Sequence, residues 1–234
     1  MPQQDSINSN VLSVNEGKVK GVSRRNFLGY LGGASALMIT AASCKNDDAP
    51  FDNGGVNLGS GDVGVLNYAY ALEQIEAAFY TKLASSPYSG ISASENALLT
   101  DIRDHEVAHR EFFKNALGTN AIPALDLDFS SINFGSRESV LNAAKAFEDL
   151  GVSAYNGAGK LLVSPDYLLL AGKIVSVEAR HAAYIRDLIM PGSFADNTIV
   201  DVNALDISRN PLAVLTIAAP FVKTKLNAGN LPNS

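Results

Sequence analysis

Two stretches of the chain, Ile102 to His109 and Ile174 to His181, repeat the pattern Ile-x-x-x-Glu-x-x-His, with Glu106 and His109 in the first and Glu178 and His181 in the second. On a helix, residues three apart share a face, so each Glu projects beside its His. That is the geometry of a metal ligand pair. The stripes around them are otherwise apolar: Leu99, Ile102, Phe113 and Ala116 flank the first pair, and Leu170, Ile174, Ile185 and Leu188 flank the second. Both pairs therefore occupy core-facing positions. An unpartnered carboxylate there costs roughly several kcal/mol, so something must neutralise it.

Upstream of each Glu-x-x-His segment lies another with its own matching register, Leu66, Ala69, Glu73, Ala77, Tyr80 in one and Leu141, Ala144, Glu148, Val152, Tyr155 in the other. The chain thus reads as a duplicated helix pair. One half carries Glu73, Glu106 and His109; the other carries Glu148, Glu178 and His181. One Glu from each of two helices, with a Glu-x-x-His from each of two more, is the ligand set of a dinuclear carboxylate site in a four-helix bundle. Four carboxylates balance two divalent ions, and no Lys or Arg occupies these stripes. Hard oxygen donors with one imidazole per metal suit iron or manganese better than copper. Glu106 and Glu178 are expected to bridge, Glu73 and Glu148 to be terminal carboxylates, and His109 and His181 to be terminal nitrogen ligands.

Glu76 stands as the alternative to Glu73, because it also lies on an apolar stripe, with Val65, Ala69, Leu72, Phe79 and Leu83. The register shared through Tyr80 favours Glu73, and it makes Gly151 the counterpart of Glu76. Tyr80 and Tyr155 lie two turns from their Glu residues, placed either to fill core or to hydrogen-bond a ligand. His105 points about 100° away from Glu106, which makes it a surface or outer residue of the site. Gly151, Gly157 and Gly159 lower helix propensity, and their expected use is close helix approach.

Helix punctuation sets the elements that position these residues. The first helix is expected from about Asp62 to Ala84. Ser92 with Glu95 starts a second that ends at Gly118, the third runs from about Ser136 to Leu162, and Ser164 with Pro165 opens a fourth that stops before Pro191. Short turns make the first and second, and the third and fourth, antiparallel neighbours. Gly118 to Gly135 is long enough to cross the bundle. An amphipathic segment from Pro211 to Val222, begun by Asn210, is expected to add a short fifth helix at one end or face. The fold class expected is therefore all-α: a ferritin-like four-helix bundle with one long crossover.

Several segments resemble known sequences more specifically: Leu72 to Tyr80, His105 to His109, Gly151 to Tyr155 and Val177 to Ala183 are similar to the ferritin-like domain proteins that include plant and bacterial desiccation-related proteins. The resemblance covers roughly residues 60 to 225. It implies the ferritin-like fold and, from the wider superfamily, that the residues equivalent to these six bind two iron or manganese ions. It implies much less about a reaction.

Ser23 to Leu28, with Arg24 and Arg25, followed by the small and apolar run Gly29 to Ala42, reads as a twin-arginine export signal. Ala41, Ala42, Ser43 and Cys44 then resemble a lipoprotein cleavage box, with Cys44 the residue to be acylated. As the only cysteine, Cys44 excludes an internal disulfide and any cysteine-rich metal site. The division expected is a signal over residues 1–43, a flexible tether over 44–60, the bundle over 61–225 and a tail over 226–234. An exported bacterial protein, periplasmic or anchored through lipid on Cys44 to the outer membrane or cell surface, follows. Twin-arginine export carries folded proteins, so a cluster assembled in the cytoplasm could be locked in before export.

Residues 1–43 hold four basic and two acidic side chains, so their removal takes the formal charge from −6 to −8. Such an acidic chain has no electrostatic footprint for nucleic acid. The leading expectation is a dinuclear oxidoreductase that consumes dioxygen or peroxide at the cell envelope. Its rival is a non-catalytic stress or desiccation-related envelope protein that uses the bundle as a scaffold. Iron storage is less attractive, because a lipid tether and an extension after the fourth helix disfavour a closed cage. Oligomeric state is left open.

Overall fold

The computed structural model describes residues 54–232, so the proposed signal, Cys44 and the first part of the tether lie outside the described residues. Four long helices, α1 (Gly61–Ser85), α2 (Ala93–Leu117), α3 (Arg137–Ala158) and α4 (Pro165–Ile189), form two hairpins, α1 on α2 and α3 on α4. A short α5 (Pro211–Ala218) packs on α3. The all-α bundle with one long crossover and a short fifth helix is thus observed.

Polar residues start the helices where the punctuation placed them. Ser92, Ser136, Ser164 and Asn210 each accept a hydrogen bond from the backbone N–H three residues on, satisfying a donor that the first turn would leave unpaired. Glu95 does not complete a reciprocal capping box; its carboxylate accepts from Tyr88 and, at 2.8 Å, from Arg137 Nε, which ties the α1–α2 turn to the start of α3. Asp62 accepts from the backbone N–H of Val163 and Ser164 at 2.7 and 2.8 Å, clamping the start of α1 to the α3–α4 turn.

α1 is the central helix, buried along almost its whole length from Gly64 to Tyr80. Two polar side chains on it hold the crossover. Asn67 donates to the carbonyls of Leu58 and Asn120 and accepts from Ile122 N–H, while Gln74 accepts from Leu125 N–H at 2.8 Å. Each buried amide is therefore satisfied by backbone that would otherwise lack partners. Phe129 and Ile132 of the crossover enter the core, where Phe79, Phe129 and Phe147 pack edge to face.

The ends of three expected elements shift. α3 stops at Ala158, four residues short of the expected Leu162, and gives way to a 3₁₀ turn over Gly159–Leu161. α5 likewise ends at Ala218 before a 3₁₀ turn over Ala219–Phe221, where Pro220 has no N–H to continue the α ladder. The boundary between tether and bundle also moves. Val56–Asn57 (β1) pairs in parallel with Leu226–Asn227 (β2), and Leu58 is fully buried, so the end of the expected tether and the start of the expected tail are packed structure. Two-residue strands carry too little alternation to be read as a period. No helix among the described residues is long and apolar enough to cross a membrane.

Candidate metal centre

Glu73 from α1, Glu106 from α2, Glu148 from α3 and Glu178 from α4 meet in the middle of the bundle, each 0% exposed. His109 and His181 close the group from α2 and α4. All six residues singled out by spacing are brought together, and their ligand atoms divide into two sets. Glu73, Glu106, His109 and Glu178 offer one set of atoms within 4.8 Å of one another, and Glu106, Glu148, Glu178 and His181 offer the other. Glu106 and Glu178 belong to both.

The oxygens are shared out in an ordered way. His109 Nδ1 lies 2.8 Å from Glu178 Oε1 and 3.5 Å from both Glu106 Oε2 and Glu73 Oε2. On the other side, His181 Nδ1 lies 2.8 Å from Glu106 Oε1, 3.5 Å from Glu148 Oε2 and 3.7 Å from Glu178 Oε2. Each shared carboxylate therefore presents one oxygen to each set. These donor atoms, Glu73 Oε2, Glu148 Oε2, both oxygens of Glu106 and of Glu178, and the two Nδ1 atoms, are all buried and meet only one another, with no polar partner outside the cluster among the described residues. Buried donors of this kind seldom gather without a partner from outside, and eight converging on two points make a cluster compatible with a dinuclear metal site.

Only the inward oxygens are free. Tyr155 on α3 donates to the outer oxygen of Glu73 on α1, and Tyr80 on α1 donates to that of Glu148 on α3 at 2.5 Å. Each tyrosine thus serves the carboxylate of the opposite hairpin. Of the two expected roles, they perform both, since Tyr80 is fully buried core as well.

Glu73, and not Glu76, supplies an oxygen to the converging set. Glu76 is a fifth buried carboxyl beside it. Its counterpart Gly151 makes the room: a Cβ built on Gly151 would stand 2.9 Å from Glu76 Oε1. Gly157 is also needed for close approach, although the neighbour is a loop and not a helix, because a Cβ there would meet the Arg209 carbonyl oxygen at 1.6 Å. Gly159 meets only Leu168 at 3.7 Å and serves no such contact.

His105 is both of the things expected of it, a surface residue and an outer residue of the site. It is exposed on α2, yet its Nδ1 lies 2.9 Å from Nε2 of His181 on α4. The signal was its four-residue spacing from His109, which puts the two imidazoles on one helix face.

Burying five carboxyls together moves protons. Desolvation, with the neighbouring carboxylates, raises Glu73 and Glu76 well above the usual range, and burial pushes Glu148 up to about 8. Burial works the same way on Glu106, but His109 and His181 beside it outweigh this and hold it down at about 2. Desolvation opposes charge on the imidazoles, and the surrounding carboxylates overcome it, lifting both to about 12. In the metal-free chain, protons and imidazolium charge thus offset the buried carboxylates. Arg186 brings no charge to the cluster: it is buried, but its guanidinium pairs with Asp149 and Asp196.

A bundle of this topology around such a cluster defines a class of helical carboxylate proteins, and the sequence comparison agrees. The family model of the Ferritin-like domain matches residues 61–191, more than half of the chain, and the chain belongs to that family. None of the curated proteins matches it. The matched span covers α1 to α4 and every residue of the cluster.

Proposed function

We propose that the chain holds two iron or manganese ions, one on Glu73, His109 and the near oxygens of Glu106 and Glu178, the other on Glu148, His181 and their far oxygens. The observation that carries this reading is the division of eight converging buried donor atoms into two quartets that share only Glu106 and Glu178. Four carboxylates cancel the charge of two divalent ions, so the filled cluster could be buried without net charge. Oxygen-rich donors with one nitrogen each fit iron or manganese, with zinc the expected contaminant.

Such a pair supplies one-electron steps and open coordination positions for dioxygen or peroxide. The chain's own residues do the rest. Tyr80 and Tyr155 hold Glu148 and Glu73 by their outer oxygens and leave the inner ones to face the ions. The four carboxylates are themselves fully buried, in a bundle whose core includes Leu72, Phe113, Leu141 and Ile185. We place this chemistry at the cell envelope, on the strength of the twin-arginine pattern and Cys44, and assign the protein to the desiccation-related branch on the segments that resemble it.

Elemental analysis of protein purified from its own cell envelope tests the reading. Two equivalents of iron or manganese are expected, and consumption of peroxide or dioxygen by that preparation is expected with it. Loaded protein inert toward peroxide, dioxygen and ferrous iron would mark a scaffold instead.

A further inference from the structure

The two halves of the cluster match in their ligands but differ one layer out. His181 turns Nδ1 to the carboxylates, and its other nitrogen, Nε2, lies 2.9 Å from His105 Nδ1, with the two rings nearly parallel at 9°. The register of the duplication gives His105 a counterpart on α4, since each stands one residue before the shared Glu of its helix. That counterpart is Val177, which has no polar side-chain atom. Among the described residues nothing hydrogen-bonds His109 Nε2. The imidazoles also differ in cover, the side chain of His181 being 6% exposed and that of His109 13%.

We propose that His105 is a positioning residue which makes the two metal positions unequal, so that the position on His181 and Glu148 fills first and holds its ion more tightly. This inference rests on the dinuclear reading. The argument is one of tautomers. A metal on Nδ1 of His181 requires hydrogen on Nε2, and among the described residues that hydrogen has one acceptor in reach, His105 Nδ1. His105 then carries its own hydrogen on Nε2, which its exposed position leaves to solvent. The pair fixes the orientation of the His181 ring and makes Nδ1 the better donor, as hydrogen-bonded partners of ligating imidazoles do. His109 receives no such help. Removal of a partner of this kind typically lowers metal affinity by about 10- to 100-fold, so an inequality of about that size is expected between the two positions.

Zinc, diamagnetic and redox-inert, is the probe. The chain has only three histidines, so long-range proton–nitrogen correlation spectra of the imidazoles can be followed singly through a zinc titration. In the unaltered protein the first equivalent is expected to shift the His181 nitrogens, with Nε2 in its protonated form, and the second to shift those of His109. His105→Ala is expected to weaken the first step by about 10-fold or more and to erase the order. His105→Gln, whose amide oxygen accepts the same hydrogen, is expected to restore it. Two equal steps in the unaltered protein, or an order unmoved by His105→Ala, would overturn the inference and leave the dinuclear reading standing. Equal loss in both variants would reduce His105 to packing and overturn it too. Failure of zinc to bind the unaltered protein would sink both readings together.

Discussion

Tyr155 of α3 donates its hydroxyl hydrogen to Glu73 of α1, and Tyr80 of α1 makes the same bond to Glu148 of α3. Each half of the duplicated chain therefore fixes a carboxylate of the other. Tyr155→Phe leaves a buried Glu73 oxygen without its donor, at a cost of about 1–3 kcal/mol for a buried acceptor left unsatisfied. Metal affinity should fall about 10- to 100-fold, mainly in the position that contains Glu73. Denaturant unfolding and metal competition titrations of the variant measure the two effects.

Bridging and terminal carboxylates separate by stoichiometry. Glu106 and Glu178 offer an oxygen to each set, whereas Glu73 and Glu148 serve one set apiece. Glu106→Ala or Glu178→Ala is expected to abolish binding of both ions, and Glu73→Ala or His181→Ala to spare one of them. Metal content of the purified variants decides it; His181→Ala with full occupancy would contradict the assignment.

Acidity should set how much the metal stabilises the fold. Glu148, raised from 4.5 to about 8, and the imidazoles, raised from 6.5 to about 12, bind more protons in the metal-free folded protein than in the unfolded chain. Stability of the metal-free protein therefore falls as pH rises, from about 4.5 to 8 through Glu148 and from about 6.5 toward 12 through the imidazoles. Glu106, held at about 2, has the opposite sign, but its contribution is complete above about 4.5. Metal competes with those protons and binds better as pH rises. The gap in Tm between metal-loaded and chelator-treated protein should widen between about pH 5 and 8, by about 2–4 °C per kcal/mol.

Three glycines should respond differently to alanine. At Gly157 the new Cβ would fall 1.6 Å from the Arg209 carbonyl oxygen, beside the 3.0 Å bond from Arg209 N–H to the Ser153 carbonyl. A loss of about 3 kcal/mol or more is expected. Gly151→Ala presses on the movable Glu76 carboxyl and should cost about 1–3 kcal/mol. Gly159→Ala, at φ −55° with only Leu168 nearby, should gain about 0.4–1 kcal/mol. Thermal unfolding of the three variants ranks them.

Tyr68 is 1% exposed, and its hydroxyl has no hydrogen-bond partner among the described residues. Burial raises its pKa far above the ordinary tyrosine value, so it stays neutral. Tyr68→Phe removes an unsatisfied polar atom without changing the ring, and stability should rise by about 1 kcal/mol. Denaturant midpoints compared at equal slope give the measurement.

Residue spacing by itself determined the four helices, their pairing into hairpins and the six residues of the cluster. Those features are local: a helical face is set by intervals of three and four, and a carboxyl on an apolar face needs a proton or a counter-charge whatever covers it. Periodicity could rank Glu73 above Glu76 only by analogy with the second half. Tertiary structure separated the two, by turning a Glu73 oxygen into the converging set and laying Glu76 over Gly151. It alone paired Tyr155 with Glu73, His105 with His181 and Val56 with Leu226, contacts between elements far apart in the chain. Such partners depend on how the hairpins dock, and no interval along one helix encodes the distance to another.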